Sequence, residues 1–580
     1  MTEPLGHCVM RFLFGPLWIL LLAVPISLKA AEIKSKRPNV LIVLADDLGF
    51  SDLGCYGGEI RTPNLDRLAA DGLRFTQAYN SSRCCPSRAS LLTGLYPHQA
   101  GIGRFVGEPS GLPGYQGHLT NRCVTLAEVL GQAGYSTYAC GKWHVNEPGP
   151  IARGFDEFYG FIHGYAVNSW EPRMMIRLPA GRPQHTYAPG KYFATDAITD
   201  QALDFLDIAR LKQRPWLLYV AYQAVHFPIQ APAELTARYV PTYRRGWDVL
   251  RAERLARMKK LGIMPEQLDL PARGPIDDPA IAKRLGSLTA DGVNPAWDSL
   301  DANRRADLAQ RMAVYAAMVE GMDANVGRLV ESLKTHGEWE NTLVLFLSDN
   351  GACAEWEPFG FDLDPARFRN PKPGHGIDGG TPGMPNVLHE GAALAAMGGS
   401  DSLFSYGSGW ANLSNTPLSM YKHYTHEGGV RSPLIAHWPA RIADRGGFRG
   451  HVVHVMDIMA TCVEVGNAIY PKSFAGHEIL SLEGRSLVPA LLNRPVEPRT
   501  LIFEHEHNAA IRQGDWKLVG KEVLGHDGVK AGGRWELYNL ANDAAEQHDL
   551  ASTETGVGIA KELAEKFLAE ARRTLVLPAP

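Results

Sequence analysis

Residues 38–47 read Pro-Asn-Val-Leu-Ile-Val-Leu-Ala-Asp-Asp. The middle of this stretch is a continuous apolar run, a pattern typical of a strand that is buried on both faces in a parallel sheet. The run ends abruptly at two adjacent carboxylates, Asp46 and Asp47. Because ligands of open parallel sheets bind at the carboxyl ends of the strands, the stretch predicts an α/β fold with polar groups at its functional edge.

Apolar strands followed by polar residues recur along the chain and alternate with helical patterns. Residues 62–72 have the Pro near the start and the Gly past the end that mark a short helix. We expect further strands at residues 135–139, 215–221 and 342–347, and one long helix or two over residues 304–336. The alternation predicts a large mixed, mostly parallel sheet sandwiched by helices.

Three regions depart from this alternation of strands and helices. Residues 240–300 have weak periodicity and predict an insertion that lines the substrate entrance. Residues 359–415 are rich in Gly and Pro and predict long surface loops. After about residue 445 the chain predicts short antiparallel strands and a final helix. We therefore divide it into an α/β domain at residues 32–444 and a smaller C-terminal α+β subdomain at residues 445–580.

The N-terminus has the three parts of a secretory signal peptide. Arg11 precedes an apolar run at residues 12–26, and Ser27-Leu28-Lys29-Ala30-Ala31 follows, which ends in the small residues of a cleavage site. We predict a signal peptide at residues 1–31 and export to the periplasm or the medium after cleavage. The alternative is a membrane anchor, but the run is short for a bilayer span and two prolines interrupt it. We expect no stable membrane anchor.

Composition excludes several classes of function. The 58 Lys and Arg against 62 Asp and Glu leave a formal net charge of -4, so no global basic field indicates a nucleic-acid partner. Eight cysteines in 580 residues are too few for a disulfide scaffold. The sequence leaves open the disulfide pairing and the oligomeric state.

The stretch from Cys84 to Gly94 matches C-x-P-S-R-x-x-x-L-T-G, and here the chain resembles the sulfatase family of the alkaline phosphatase superfamily. The similarity is greatest to bacterial formylglycine-dependent arylsulfatases. It implies an alkaline phosphatase-like fold and oxidation of Cys84 to formylglycine (3-oxoalanine) by a formylglycine-generating enzyme. Cys85 does not fit, because Ser87 stands where the motif requires proline. The residues alone predict a helix opened by Pro86, which places Cys84 at the positive end of a helix dipole.

Two strand ends carry the candidate metal ligands. Asp46 and Asp47 follow the first strand, and Asp349 and Asn350 follow the strand at residues 342–347. Three carboxylates and an amide oxygen suit a hard cation and offer no soft ligand for zinc. The sulfatase family takes its metal ligands from both places, which implies Ca²⁺ or Mg²⁺. The sequence does not choose between the two ions.

The resemblance also assigns residues that face the sulfate. Gly141-Lys142-Trp143-His144 is similar to the family's G-K-W-H motif, and His226 matches its H-x-P element. Lys422 precedes an E-G-G-x-R motif, which implies a sulfate ligand. Arg88 is expected to pair with the hydrated aldehyde and a metal carboxylate. The histidines that follow Lys422, at positions 423 and 426, are expected behind the site or on the surface.

The resemblance implies a sulfuric ester hydrolase that acts on aryl sulfate or sulfated carbohydrate esters. In the family mechanism, a hydroxyl of the hydrated formylglycine attacks sulfur and gives a covalent sulfo-enzyme. His144 then assists release of sulfate, while His226 and Lys142 act at the leaving oxygen. One alternative is a phosphate or phosphonate monoester hydrolase of the same superfamily. Another is a noncatalytic binder of sulfated glycans, which the intact nucleophile motif disfavours.

Overall fold

The computed structural model describes residues 1–2, 37–166, 168–276, 278–355, 358–364 and 386–580. The predicted signal peptide lies outside these ranges except for its first two residues. Among the described helices, none combines the length and the apolar character needed to cross a bilayer. The seven cysteines in the described ranges are all unbridged thiols.

Strands and helices alternate in the first three quarters of the chain. The strands in the described ranges are β1 Asn39–Ala45, β2 Leu73–Phe75, β3 Ala78–Tyr79, β4 Ser136–Lys142, β5 Glu157–Phe161, β6 Ile176–Leu178, β7 Trp216–Ala221, β8 Thr342–Ser348, β9 Leu434–His437, β10 Gly447–Arg449, β11 Val453–His454, β12 Ser473–Phe474, β13 His477–Glu478, β14 Thr500–His505, β15 Asn508–Gln513, β16 Trp516–Gly520 and β17 Glu536–Asn539. The α-helices in the same ranges are α1 Pro63–Ala70, α2 Cys84–Thr93, α3 Pro97–Ala100, α4 Leu126–Gln132, α5 Gly149–Ala152, α6 Ala194–Lys212, α7 Ala233–Tyr243, α8 Trp247–Lys260, α9 Pro279–Leu285, α10 Ala302–Thr335, α11 Gly391–Ala395, α12 Gly407–Ser414, α13 Glu427–Val430, α14 Asp457–Val465, α15 Val488–Leu491 and α16 Gly556–Arg573.

The main sheet has nine strands within the described ranges, in the order β10-β2-β9-β8-β1-β7-β4-β5-β6. Its centre is parallel: β1 pairs in parallel with β7 and β8, so that Ile42 lies between Tyr219 and Leu345. The antiparallel strands β9 and β6 flank this centre. Side chains on opposite faces of β1 enter different apolar clusters, Leu41 in one and Ile42 in the other. The predicted fold class is confirmed: helices cover both faces of a mixed, mostly parallel sheet.

The helix predicted over residues 304–336 is a single helix, α10, of 34 residues. The prediction of surface loops over residues 359–415 is wrong at its end, because α12 is entirely buried. Its glycines serve close packing: a Cβ at Gly409 would lie 2.7 Å from the ring of Trp247. Trp247 also packs against Trp410 of α12, with ring centroids 5.2 Å apart, which joins the predicted insertion to the core.

The C-terminal part contains the expected antiparallel sheet, in the order β14-β15-β16-β17. Helix α16 packs on it through the buried side chains of Leu563 and Phe567. Strand β10 and helix α14 follow the predicted domain boundary at residue 445, yet β10 pairs with β2 of the main sheet. The boundary stays a prediction, and this pairing favours a position after Arg449.

Candidate active site

The predicted site residues meet at the carboxyl edge of the main sheet, because β1, β4, β7 and β8 all end there. Strand β4 is longer than predicted and ends at Lys142 rather than residue 139. Gly141 allows this, since a Cβ there would lie 1.9 Å from the carbonyl oxygen of Ala221. All the predicted residues are at most 4% exposed: Asp46, Asp47, Cys84, Arg88, Lys142, His144, His226, Asp349, Asn350 and Lys422.

The four candidate metal ligands form one oxygen cluster. The backbone N–H of Asp47 donates to Asp349 Oδ1 at 3.3 Å, and Asn350 Nδ2 donates to Asp47 Oδ1 at 2.7 Å. The buried oxygens Asp46 Oδ1 and Asn350 Oδ1 accept no hydrogen bond from the described residues. Burial, and then the charge of Asp46, raises the pKa of Asp349 well above its ordinary value. The cluster therefore has the oxygen donors that a hard divalent cation prefers, and a repulsion between its carboxylates that such a cation would relieve.

Each of the three carboxylates also contacts at least one cationic side chain. Lys142 Nζ lies 2.7 Å from Asp46 Oδ2, and Lys422 Nζ lies 3.0 Å from Asp47 Oδ2. Arg88 pairs with Asp349. Burial acts to raise the pKa of Asp46, but Lys142 and then His226 lower it to about 2. The edge of the sheet thus holds the cationic groups that an incoming sulfate oxyanion would need.

Helix α2 begins at Cys84, two residues before the predicted start at Pro86, and Arg83 occupies its N-cap position. The helix ends at Gly94, which has a φ of 74°. The helix N-terminus supplies free backbone N–H groups and a positive dipole end beside the thiol. Burial acts to raise the pKa of Cys84. A hydrogen bond from Cys85 and the charge of Lys142 outweigh it and lower that pKa well below its ordinary value. The surroundings of Cys84 therefore favour negative charge.

Two histidines adjoin this centre, His144 beside Cys84 and His226 beside Asp47. His144 has a left-handed backbone with a φ of 55°, as does Asp47 at 65°. Such strain of about 1–3 kcal/mol per residue persists where the surrounding structure imposes it, as at functional sites. Burial lowers the pKa of both His144 and His226. His226 Nδ1 contacts the carbonyl of Phe227 at 2.5 Å, and its Nε2 lies 3.4 Å from Lys422 Nζ.

Sequence reasoning missed two groups behind Lys422. Glu355 Oε1 lies 3.4 Å from Lys422 Nζ and 2.8 Å from His423 Nε2. His423 is buried, and Glu506 contacts its other ring nitrogen. Glu355 could have been found, because it is a carboxylate only a few residues after the Asp349-Asn350 pair at the end of β8. Glu506 belongs to a distant hairpin and carries no local signal.

The family model Sulfatase matches residues 38–468. The chain belongs to the sulfatase family. An uncharacterized sulfatase of Schizosaccharomyces pombe is 33% identical over 95% of this chain and 96% of its own length. The arylsulfatase of Klebsiella aerogenes is 33% identical over 78% of this sulfatase and 92% of its own length. The family and these relatives make the protein a sulfuric ester hydrolase.

The fold of this sulfatase is also found among solved structures. Ps i-CgsB in complex with k-i-k-neocarrahexaose has a TM-score of 0.61, covers 94% of both chains and shares 23% sequence identity. At that identity the likeness establishes the fold alone. The fold is therefore alkaline phosphatase-like, as the sequence predicts.

Proposed function

We propose that this sulfatase hydrolyses aryl sulfate or sulfated carbohydrate esters through a formylglycine derived from Cys84. One observation carries the proposal: Cys84 begins a helix directly beside Lys142, His144 and the carboxylate cluster. The ligand atoms of Cys84, Cys85 and His144 lie within 4.8 Å of one another. A nucleophile at residue 84 would therefore have a base and an anion-stabilising edge within reach.

Asp46, Asp47, Asp349 and Asn350 would hold one Ca²⁺ or Mg²⁺. Bound there, the ion would offset the negative charge of the cluster and polarise oxygen atoms next to residue 84. Two observations support this assignment: Asp46 Oδ1 and Asn350 Oδ1 accept no hydrogen bond from the described residues, and the pKa of Asp349 is raised. Arg88 and residue 84 both belong to α2, and Arg88 pairs with Asp349. This ion pair would fix the distance between residue 84 and the metal ligands.

The other site residues either transfer protons or bind the sulfate group. The hydrate of the residue 84 aldehyde provides a hydroxyl to attack sulfur and a second one whose deprotonation frees sulfate. His144, kept neutral by burial, accepts that second proton. His226 and Lys142 face the leaving oxygen and protonate or neutralise it. Lys422 binds the oxygens of sulfate that do not react.

The proposal also includes the maturation of Cys84 and the export of the protein. A formylglycine-generating enzyme would oxidise Cys84 during synthesis, before α2 buries the thiol. The signal peptide predicted at residues 1–31 would export the protein, so sulfate esters outside the cytoplasm are its substrates. No nucleic-acid partner is proposed.

Matched esters test the reaction. The purified enzyme is assayed on p-nitrophenyl sulfate and p-nitrophenyl phosphate, and then on a panel of sulfated glycans. Faster turnover of the sulfate ester supports the proposal. Faster turnover of the phosphate ester would favour a phosphate or phosphonate hydrolase. Binding without turnover of any ester would indicate a sulfated-glycan binder.

A further inference from the structure

A continuous series of charged contacts leads from the C-terminal sheet to Lys422. Glu506 Oε2 lies 2.9 Å from His423 Nδ1, and His423 Nε2 lies 2.8 Å from Glu355 Oε1. The same Glu355 oxygen lies 3.4 Å from Lys422 Nζ, which lies 3.0 Å from Asp47 Oδ2. His423, Glu355 and Lys422 are each at most 5% exposed. The side chain of Glu506 is about one third exposed, at 34%.

The members of this series come from three separate parts of the chain. Glu506 lies in the turn between β14 and β15, Glu355 follows β8, and His423 adjoins Lys422 in the loop before α13. Glu506 also contacts Arg83, the cap of the helix that begins at Cys84, at 2.6 Å. The C-terminal hairpin therefore contacts both segments that carry the proposed nucleophile and the proposed sulfate ligand.

The two ring nitrogens of His423 contact carboxylates, Nδ1 with Glu506 and Nε2 with Glu355, and Arg83 Nη1 also lies 3.1 Å from Nδ1. Burial acts to lower the pKa of His423, and the nearby Arg83 adds to that effect. Glu506 and Glu355 outweigh both, so the pKa lies above its ordinary value. Glu355 Oε1 lies closer to the ring of His423, at 2.8 Å, than to Lys422 Nζ, at 3.4 Å, so its stronger contact is with His423.

We propose that Glu506 is a positioning residue that keeps His423 on Glu355 and so leaves Lys422 available to bind the sulfate group. Without Glu506, His423 would lose one of the two carboxylates that contact it among the described residues, while Arg83 Nη1 remained 3.1 Å from its Nδ1. Glu355 would then attract Lys422 more strongly and compete with sulfate for the ammonium group. The inference rests on the proposed function, because it takes Lys422 as a sulfate ligand.

The first test is Glu506→Gln, with Glu522→Gln as its control. Glu522 belongs to the same C-terminal part and is exposed. Loss of one charge-assisted hydrogen bond predicts a KM for p-nitrophenyl sulfate about tenfold higher, with kcat changed less than about threefold. Inorganic sulfate should bind about tenfold more weakly by calorimetry on the metal-loaded enzyme. The control should match wild type in every value, and Glu506→Asp should recover most of the loss.

A double substitution separates positioning from a general structural effect. If Glu506 acts by restraining Glu355, then adding Glu506→Gln to Glu355→Gln should leave KM unchanged. An equal rise in KM in both backgrounds, or wild-type sulfate binding by Glu506→Gln, overturns the inference while the proposed function stands. Wild-type enzyme that neither cleaves sulfate esters nor binds sulfate overturns the proposed function, and the inference with it.

Discussion

Arg88 and Asp349 join the helix of the proposed nucleophile to the carboxylate cluster. Arg88 Nε donates to Asp349 Oδ2 at 2.9 Å, and Nη2 lies 2.8 Å from the same oxygen. Arg88 Nη1 also donates to the carbonyl oxygen of Lys142 at 2.7 Å. Arg88 follows Cys84 by four residues, so both side chains lie on one face of α2. One fully buried guanidinium therefore fixes the helix against the ends of two strands.

Substitution of Asp349 by Ala should remove the divalent cation and the sulfatase activity together. The variant loses one of the three candidate carboxylate ligands and the carboxylate that Arg88 contacts at 2.8 Å, so the cluster should bind a divalent cation much more weakly. Metal content by plasma mass spectrometry and turnover of an aryl sulfate measure both effects. Asp527→Ala, at a residue 91% exposed, is the control. A full equivalent of metal in Asp349→Ala would refute the ligand assignment.

Substitution of Cys84 by Ser should give an enzyme that stops after one product. A serine hydroxyl can attack sulfur, but serine cannot re-form an aldehyde and expel sulfate. We expect a burst of at most one phenol per enzyme and a sulfated peptide that contains residue 84. The host must be shown not to oxidise the serine. Sustained turnover by a variant that keeps serine would contradict the diol mechanism.

Substitution of Lys517 by Met should destabilise the fold without touching the site. Lys517 Nζ lies 2.8 Å from Glu427 Oε1 and 2.9 Å from Glu546 Oε1, and all three side chains are fully buried. Removal of the ammonium group breaks two buried ion pairs, although Glu427 keeps Arg431 at 3.4 Å, and breaking a buried pair costs about 3–5 kcal/mol. Urea unfolding measures the change. The exposed Lys561→Met should shift the free energy of unfolding by less than about 0.5 kcal/mol, and an equal effect of both would refute the explanation.

His454 should make the protein less stable in acid. Burial, and then Arg499, lowers its pKa to about 3. Because the folded pKa lies below the unfolded value of about 6.5, the unfolded chain binds the proton first, and stability is lost as the pH falls from 6.5 to 3. The loss is about 2 kcal/mol between pH 6.5 and 5. Urea unfolding at pH 6.5 and pH 5 should show that His454→Asn loses less free energy of unfolding than wild type. An equal loss in the two proteins would contradict this explanation.

The sequence predicts the strands and their polar ends because both are local features. The run at residues 39–45 forms the central strand, and Asp46 and Asp349 meet because parallel strands end at one edge. The sequence does not predict the burial of α12, because its glycines are also typical of a loop. Only the structure shows that Trp247 packs closely against Gly409. The contact between Glu506 and His423 joins residues 83 positions apart and leaves no periodic signal.

The state of residue 84 tests the central claim most directly. Peptide mass spectrometry of enzyme preparations with different degrees of maturation should show formylglycine at position 84 and an unmodified thiol at Cys85. Only Cys84 has proline and arginine at the offsets of the C-x-P-S-R motif. We predict that the rate of aryl sulfate hydrolysis rises in proportion to the formylglycine fraction. Full activity in a preparation that keeps a cysteine thiol at position 84 would contradict the account.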